Sequence, residues 1–226
     1  MKTVLITGAS GNLGKASVEK FQKEGYKIFA TVSPGKTLGF DSVGVETIEA
    51  DLTDEMAVEK AITAITSKYK IDAALLLVGG FAMGSVKDTG STQLRKMFSL
   101  NFDTAYFAAR PIFLHMMKQS AGRIVFVGAR PALNPADGKT TVAYALSKSL
   151  VFKLAELLNA EGASDNVVSH VIVPSIIDTP VNRAAMPTAN FSDWVQPEEI
   201  AESIFFLCSD AGSPVRESIV KLYGRS

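Results

Sequence analysis

The stretch TVLITGASGNLGKASVEKF, Thr3 to Phe21, decides the fold. It opens with a β-branched apolar run that reads as a strand, passes glycines at 8, 11 and 14, and carries Leu13, Ala16, Val18 and Phe21 at helical spacing. The glycines let the chain turn tightly, approach a pyrophosphate closely and pack the helix onto the strand. The helix N-terminus meanwhile offers unpaired N–H groups to anionic oxygens. A purely structural turn is the plainer alternative, but the strand before, the helix after and the place at the first crossover are the context that dinucleotide binding requires. Gly8, Ser10, Gly11, Asn12, Leu13 and Gly14 are therefore read as a dinucleotide-binding loop.

Further apolar runs follow: KIFATVS (27–33), VETIEA (45–50), IDAALLLVGG (71–80), GRIVFVGA (122–129), NVVSHVIVPS (166–175) and SIVKLYG (218–224). They read as strands buried on both faces. Helical spacing fills Asp54 to Tyr69 and the long segment Ser91 to Gln119. Strand and helix alternate, and parallel neighbours need crossovers that cover both sheet faces. The expected architecture is α/β: one domain over residues 1–226, a doubly wound, mostly parallel seven-stranded sheet of the Rossmann kind with helices on both faces. The segment Pro174 to Gln196 has three prolines and no helical period, and it reads as a loop covering the substrate.

The 226 residues, 47% hydrophobic, can bury one substantial core. Basic and acidic side chains balance at 23 each, so no global field draws in nucleic acid or an anionic membrane, and a small molecule is the expected partner. The single cysteine, Cys208, fits a reducing compartment and reads as a core residue. No segment offers about 18 uninterrupted apolar residues, which together with a short apolar N-terminus suggests a cytoplasmic protein. His115 and His170 lack companions at metal-ligand spacing, so no metal is expected.

Two positions bear on the far end of the dinucleotide. Asp51 and Leu52 follow the third strand, where they edge an adenine, although Asp51 could instead cap the next helix. The second strand ends without the acid that holds ribose hydroxyls in NAD sites, and Ser33 and Lys36 stand there instead. That composition favours NADP over NAD.

YALSK places Tyr144 and Lys148 four residues apart, on one face of a helix. A phenol titrates near 10, and a nearby ammonium is expected to lower that value into working range. An amphipathic core tyrosine and a solvated lysine are the plainer alternatives. The preceding dinucleotide loop favours proton transfer.

With the glycine loop, Asp51–Leu52, LLVGG and YALSK in this order, the sequence resembles the short-chain dehydrogenase/reductase family along nearly its whole length. The resemblance implies catalysis by Tyr144 and Lys148 and a proton relay joined by Asn101. Val78, Gly79 and Gly80 would lie against the cofactor, with Lys148 also holding the nicotinamide ribose. Pro174, Ile177 and Thr179 of PSIIDT match the stretch that holds the nicotinamide carboxamide, Ser175 replacing a glycine. Within the family the dihydropteridine reductases are most alike, sharing the pattern Asp178-Thr179-Pro180-x-Asn182-Arg183 with Met186, Pro187, Phe191 and Trp194 after it. Met186, Phe191 and Trp194 either wall the substrate or pack a lid onto the core. The resemblance also implies a homodimer or homotetramer built on the long helix and the tyrosine helix.

Most members carry a serine where the fifth strand ends. Here that place holds Gly128 and Ala129. Losing such a donor costs about 10²- to 10³-fold in rate for a carbonyl that depends on it. The expectation is therefore reduction of a quinonoid, dihydropterin-like or other conjugated substrate, which needs less polarisation. A generic carbonyl reductase or alcohol dehydrogenase is the alternative, and a catalytically lapsed NADP-binding regulator a third. Thr140 or Thr141 either supplies the missing hydroxyl or caps the tyrosine helix.

Overall fold

A computed structural model describes residues 1–40 and 42–225. In chain order the elements are β1 (Thr3–Thr7), α1 (Asn12–Lys23), β2 (Lys27–Val32), β3 (Val45–Glu49), α2 (Glu55–Thr66), β4 (Ala73–Leu76), α3 (Ser91–Phe98) and α4 (Thr104–Gln119). There follow β5 (Gly122–Val127), the short α5 (Arg130–Leu133) and α6 (Pro135–Gly138), α7 (Val142–Gly162), β6 (Val167–Pro174), α8 (Pro180–Ala185), α9 (Pro197–Cys208) and β7 (Ile219–Leu222). The strands pair in the order β3-β2-β1-β4-β5-β6-β7, every pair parallel. The order reverses between β1 and β4. In such sheets the crevice at the carboxyl ends of the two strands flanking the reversal is where ligands bind.

Each face of the sheet has its own apolar layer. Val18 and Phe21 of α1 and Ile200, Ile204 and Leu207 of α9 cover one face, with Ile6, Ile28 and Leu75 beneath them. Val58 and Ile62 of α2, Ala105, Ala108 and Ile112 of α4, and Val151 and Ala155 of α7 cover the other, against Leu5, Ala74 and Phe126. The alanines of α4 let that helix lie close on the strands. Cys208 is buried at the end of α9, and its thiol is pushed up to about 12 by desolvation.

Four sequence expectations change. β3 is not buried on both faces: Glu46, Thr47 and Glu49 are exposed, because it is the edge strand. The fourth strand ends at Leu76, leaving residues 77–80 as the loop at the crevice. Ser91 to Gln119 is helical throughout but not α-helical throughout: a π-helical turn, Ser99–Asp103, joins α3 to α4, and the Thr104 N–H reaches back to Ser99 O. The segment Pro174 to Gln196 is not irregular throughout, since α8 forms there with Thr179 as its cap and Pro180 at its first turn. Six residues are too few for a periodic pattern to declare itself.

Alternation also lapses between β2 and β3, where the described residues form no helix. Leu38, buried, and Phe40 pack onto the α1 face in its place.

Candidate active site

β1 delivers the glycine loop to the crevice. Gly8 has φ +69°, and a Cβ there would meet the Val78 backbone nitrogen at 3.1 Å. The Thr7 hydroxyl accepts the Leu77 N–H at 3.2 Å, which fastens this turn to the end of β4. A Cβ on Gly14 would lie 2.1 Å from Gly8 O and 2.6 Å from Ala9 Cα, so helix and loop touch backbone to backbone. Gly11 differs: its Cβ would meet only Gly8 O, at 3.4 Å, an ordinary contact. No protein atom requires glycine at 11, and no side chain caps α1 there. The first-turn N–H groups and the open space above Gly11 fit a phosphate. Ser10, Gly11 and Asn12 are exposed along this rim and Leu13 is half-buried beside it.

The loop after β2 places Ser33 and Lys36 at the surface. A cavity of about 570 Å³ lies between this loop and β3, lined among others by Lys36, Thr37, Leu38, Phe40 and Glu49. Glu49 was not anticipated. It sits opposite Val32 in the β2–β3 register, and its carboxylate accepts the Gly35 N–H at 3.4 Å, so β3 brings an acid to the place where β2 lacks one. The signal was a glutamate ending a strand parallel to β2, usable only once the pairing is known.

Asp51 does not cap α2. Asp54 does, accepting from the Met56 and Ala57 N–H groups, while Asp51 Oδ1 accepts from the Thr53 N–H and hydroxyl. Those bonds hold the Asp51 carboxyl below the usual carboxylate range. Leu52 packs against the α2–α4 core layer.

At the opposite side of the crevice, α7 presents Tyr144, Ser147 and Lys148. Lys148 is only 4% exposed, and its Nζ donates to Val127 O at 2.7 Å. Asn101, in the π turn and 1% exposed, is engaged at both ends of its carboxamide. Its Oδ1 accepts the Gly80 N–H (2.9 Å), and its Nδ2 donates to Gly80 O (3.1 Å) and Ser147 Oγ (3.0 Å). The Ser147 hydroxyl in turn donates to Tyr144 O at 2.8 Å. Gly79 fits beside this clamp only because it has no side chain: a Cβ would lie 2.7 Å from Asn101 Oδ1 and 3.1 Å from Lys148 Nζ. The carboxamide thus fixes the Val78–Gly80 loop to α7.

Burial dominates the electrostatics. It pushes the Tyr144 phenol up to about 12 and the Lys148 ammonium down to about 8. The lowering expected for Tyr144 is absent, because desolvation governs it while the ammonium is directed at the Val127 carbonyl. Near neutral pH the tyrosine is therefore a protonated donor and most of the lysine is charged.

Phe81, which sequence reasoning missed, lies edge-on to the Tyr144 ring with centroids 5.0 Å apart. Phe81 is 60% exposed at the crevice. An aromatic residue directly after the glycine pair was the available signal. The end of β5 supplies no hydroxyl: Gly128 is forced, since a Cβ would lie 2.6 Å from the Phe152 ring and 2.7 Å from Val171 Cγ1, and Ala129 is buried. Thr141 stands at the cap position of α7 without capping it, its hydroxyl turned to Gly138 O at 3.5 Å, whereas Thr140 is exposed.

β6 ends at Pro174, and Ser175 Oγ donates to Tyr223 O at 2.8 Å. Ile177 packs on the α1–α9 layer. Thr179 accepts the Asn182 N–H at 3.2 Å as the cap of α8. Trp194 is buried and Phe191 lies against it at 4.8 Å, so these two anchor the loop, while Met186 is half-buried. His115 and His170 lie on α4 and β6, and His170 Nδ1 meets Glu217 O at 2.8 Å. Among the described residues no group of three potential metal ligands occurs.

Known proteins resemble this chain in sequence and in fold. The family profile described as short chain dehydrogenase matches residues 2–190. A dihydropteridine reductase from Dictyostelium discoideum is 32% identical over 230 residues, covering 100% of this chain and 96% of that protein. An acetoacetyl-CoA reductase from Acinetobacter sp. (strain RA3849) is 27% identical over 241 residues, covering 99% and 96%. Among solved structures, ElxO with NADP bound superposes with a TM-score of 0.90 at 23% identity over 99% of this chain and 97% of that one, a likeness of fold.

Proposed function

Because the chain belongs to the short chain dehydrogenase family, we propose that it is an NAD(P)H-dependent oxidoreductase that reduces a quinonoid dihydropterin-like or other conjugated ring, with Tyr144 as proton donor. The observation that carries the substrate class is the exposed Phe81 ring beside the Tyr144 phenol, at a strand end without a second hydroxyl. A flat ring can rest on such a face. A plain ketone would find no polarising donor from β5.

The bound nicotinamide supplies the hydride. Gly8, Ser10, Gly11, Asn12, Leu13 and Gly14 would hold the pyrophosphate, Asp51 and Leu52 the adenine, and Val78, Gly79 and Gly80 the floor of the crevice. Pro174, Ile177 and Thr179 would meet the carboxamide, and Lys148 the ribose. Tyr144 gives its proton to the substrate heteroatom, and the phenolate left behind gains from the Lys148 ammonium one helical turn away. Asn101 holds this helix and the cofactor floor in register. Lys36 and Ser33 support a preference for NADP(H), and the Glu49 carboxylate nearby keeps that preference modest.

Exposed Tyr106 and Leu114 on α4, with Leu146 and Leu157 on α7, support a homodimer or homotetramer through these helices. No helix among the described residues is long and apolar enough to cross a membrane. A cytoplasmic small-molecule enzyme is the matching reading.

Steady-state oxidation of NADPH and NADH with quinonoid dihydropterin and with a panel of ketones and aldehydes tests the assignment. Pterin turnover that Tyr144→Phe abolishes, with cofactor affinity nearly intact, supports it. Turnover of carbonyls alone points to a generic reductase, the reading that the acetoacetyl-CoA reductase relative favours. Tight NADPH binding without any turnover points to a regulator.

A further inference from the structure

The loop between β6 and α9 is organised by one buried carboxylate. Asp178, 8% exposed, accepts from Arg183 Nε at 2.6 Å, from Arg183 Nη2 at 2.7 Å and from Gln196 Nε2 at 2.8 Å. Its own N–H donates to Val195 O at 2.9 Å, and the Val195 N–H donates to Ile176 O at 3.0 Å, closing the two stems of the loop on each other. Gln196 opens α9 through a reciprocal cap with Glu199. The Arg183 guanidinium also lies 4.7 Å from the Phe191 ring centroid, and Phe191 rests on buried Trp194. Loop entry, loop helix and loop exit thus converge on Asp178. Asn182 continues the pattern by donating from Nδ2 to Ile177 O at 2.8 Å.

The residues immediately before and after Asp178 are Ile177 and Thr179. We propose that Asp178 is the positioning residue for the nicotinamide half of the dinucleotide: by clamping Arg183 and Gln196 it fixes the backbone of Ile177 and Thr179 at the crevice before a ligand arrives. This rests on the dinucleotide reading above. The adenylate half, held by the glycine loop and the loop after β2, does not depend on the clamp.

Asp178→Asn is a sharp perturbation. Asp178 Oδ2 receives both Arg183 Nη2 and Gln196 Nε2, so an amide NH₂ there would face two donors, while the other orientation opposes the Arg183 Nε–H. Calorimetric titration of the full chain with NADPH and with 2′-phospho-ADP-ribose, which lacks only the nicotinamide, separates the two halves. NADPH affinity is expected to fall about ten- to hundredfold, corresponding to about 1.4 to 2.8 kcal/mol, while 2′-phospho-ADP-ribose changes less than twofold. Arg183→Gln, a milder change, is expected to reproduce the selective loss. Equal losses for both ligands, or no loss for either, overturn the proposal. A wild-type chain that binds neither these two ligands nor NADH and ADP-ribose overturns the dinucleotide reading itself, and the clamp's assigned role with it.

Discussion

Lys148→Met isolates the buried ammonium at the crevice. Desolvation brings Lys148 from its ordinary 10.5 down to about 8 in the folded chain. Between those values the unfolded chain keeps the proton and the folded chain does not, so stability rises with pH across this window. Below about 8 both states are charged, and the folded state bears the whole penalty. At 1.36 kcal/mol per pH unit the penalty is about 3 kcal/mol, of which about 2 kcal/mol is relieved between pH 7 and 9.5. Cys208, Tyr26 and Tyr144, each pushed up to about 12 by burial, oppose the rise at the alkaline end, but they are common to both proteins and cancel in the difference. Loss of the bond to Val127 O shifts the variant by a nearly constant amount below pH 8. Urea unfolding followed by circular dichroism at pH 7, 8, 9 and 9.5 should show wild-type stability gaining about 2 kcal/mol on the variant. Parallel curves would refute the reasoning, since Lys148 would then titrate near its ordinary value. In wild-type turnover, kcat/KM for reduction should fall as pH rises through about 8, where the charge that steadies the tyrosinate is lost.

Gly11→Ala and Gly14→Ala should part company. The first leaves the melting temperature within about 2 °C, because its Cβ meets only an ordinary contact, yet weakens NADPH binding at least tenfold; the second, clashing with backbone, lowers both in differential scanning fluorimetry. Gly79→Ala must push the Asn101 carboxamide or Lys148 aside, costing about 2 to 4 kcal/mol from strained buried hydrogen bonds and at least tenfold in kcat; unchanged unfolding and turnover would count against the clamp. Ala129→Ser, on an extended backbone with φ −156°, should raise ketone reduction at least tenfold, and no gain would remove the explanation of why ketones are disfavoured.

Readability in the sequence followed how local each cause is. Thr3 to Phe21 declared strand, turn and helix because the demands of Gly8 and Gly14 are met by residues a few positions away. The parallel sheet was legible through the long apolar runs of β1, β4, β5 and β6. The exposure of β3 was not, since being an edge strand is a property of pairing order. α8 escaped notice because it is stabilised by Thr179 and by Asp178 with Arg183, not by periodicity. At the crevice, residue types were visible and their states were not. Tyr144 and Lys148 share a helix face, but burial and the carbonyl of Val127, 21 positions away, decide their titration. Glu49 reaches the loop after β2 only through the register of two strands, and Phe81 meets Tyr144 across 63 positions of chain.

The π turn at Ser99–Asp103 governs how this part of the chain responds to a change in length. A residue in an α-helix advances about 100° around the axis and one in a wide π turn advances less, so the turn absorbs one extra residue and leaves the helix before and after it in nearly the same phase. Ala105, Ala108 and Ile112 lie in the core layer on the sheet, while Asn101 faces Gly80 and Ser147. Deleting a single residue between 99 and 103 would close the wide turn to an α-turn with α3 and α4 nearly in place, and the loss would fall on the Asn101 bonds to Gly80 and Ser147. Family members one residue shorter here should therefore keep both flanking helices and lose the bulge, because the wide turn is where a one-residue difference is absorbed.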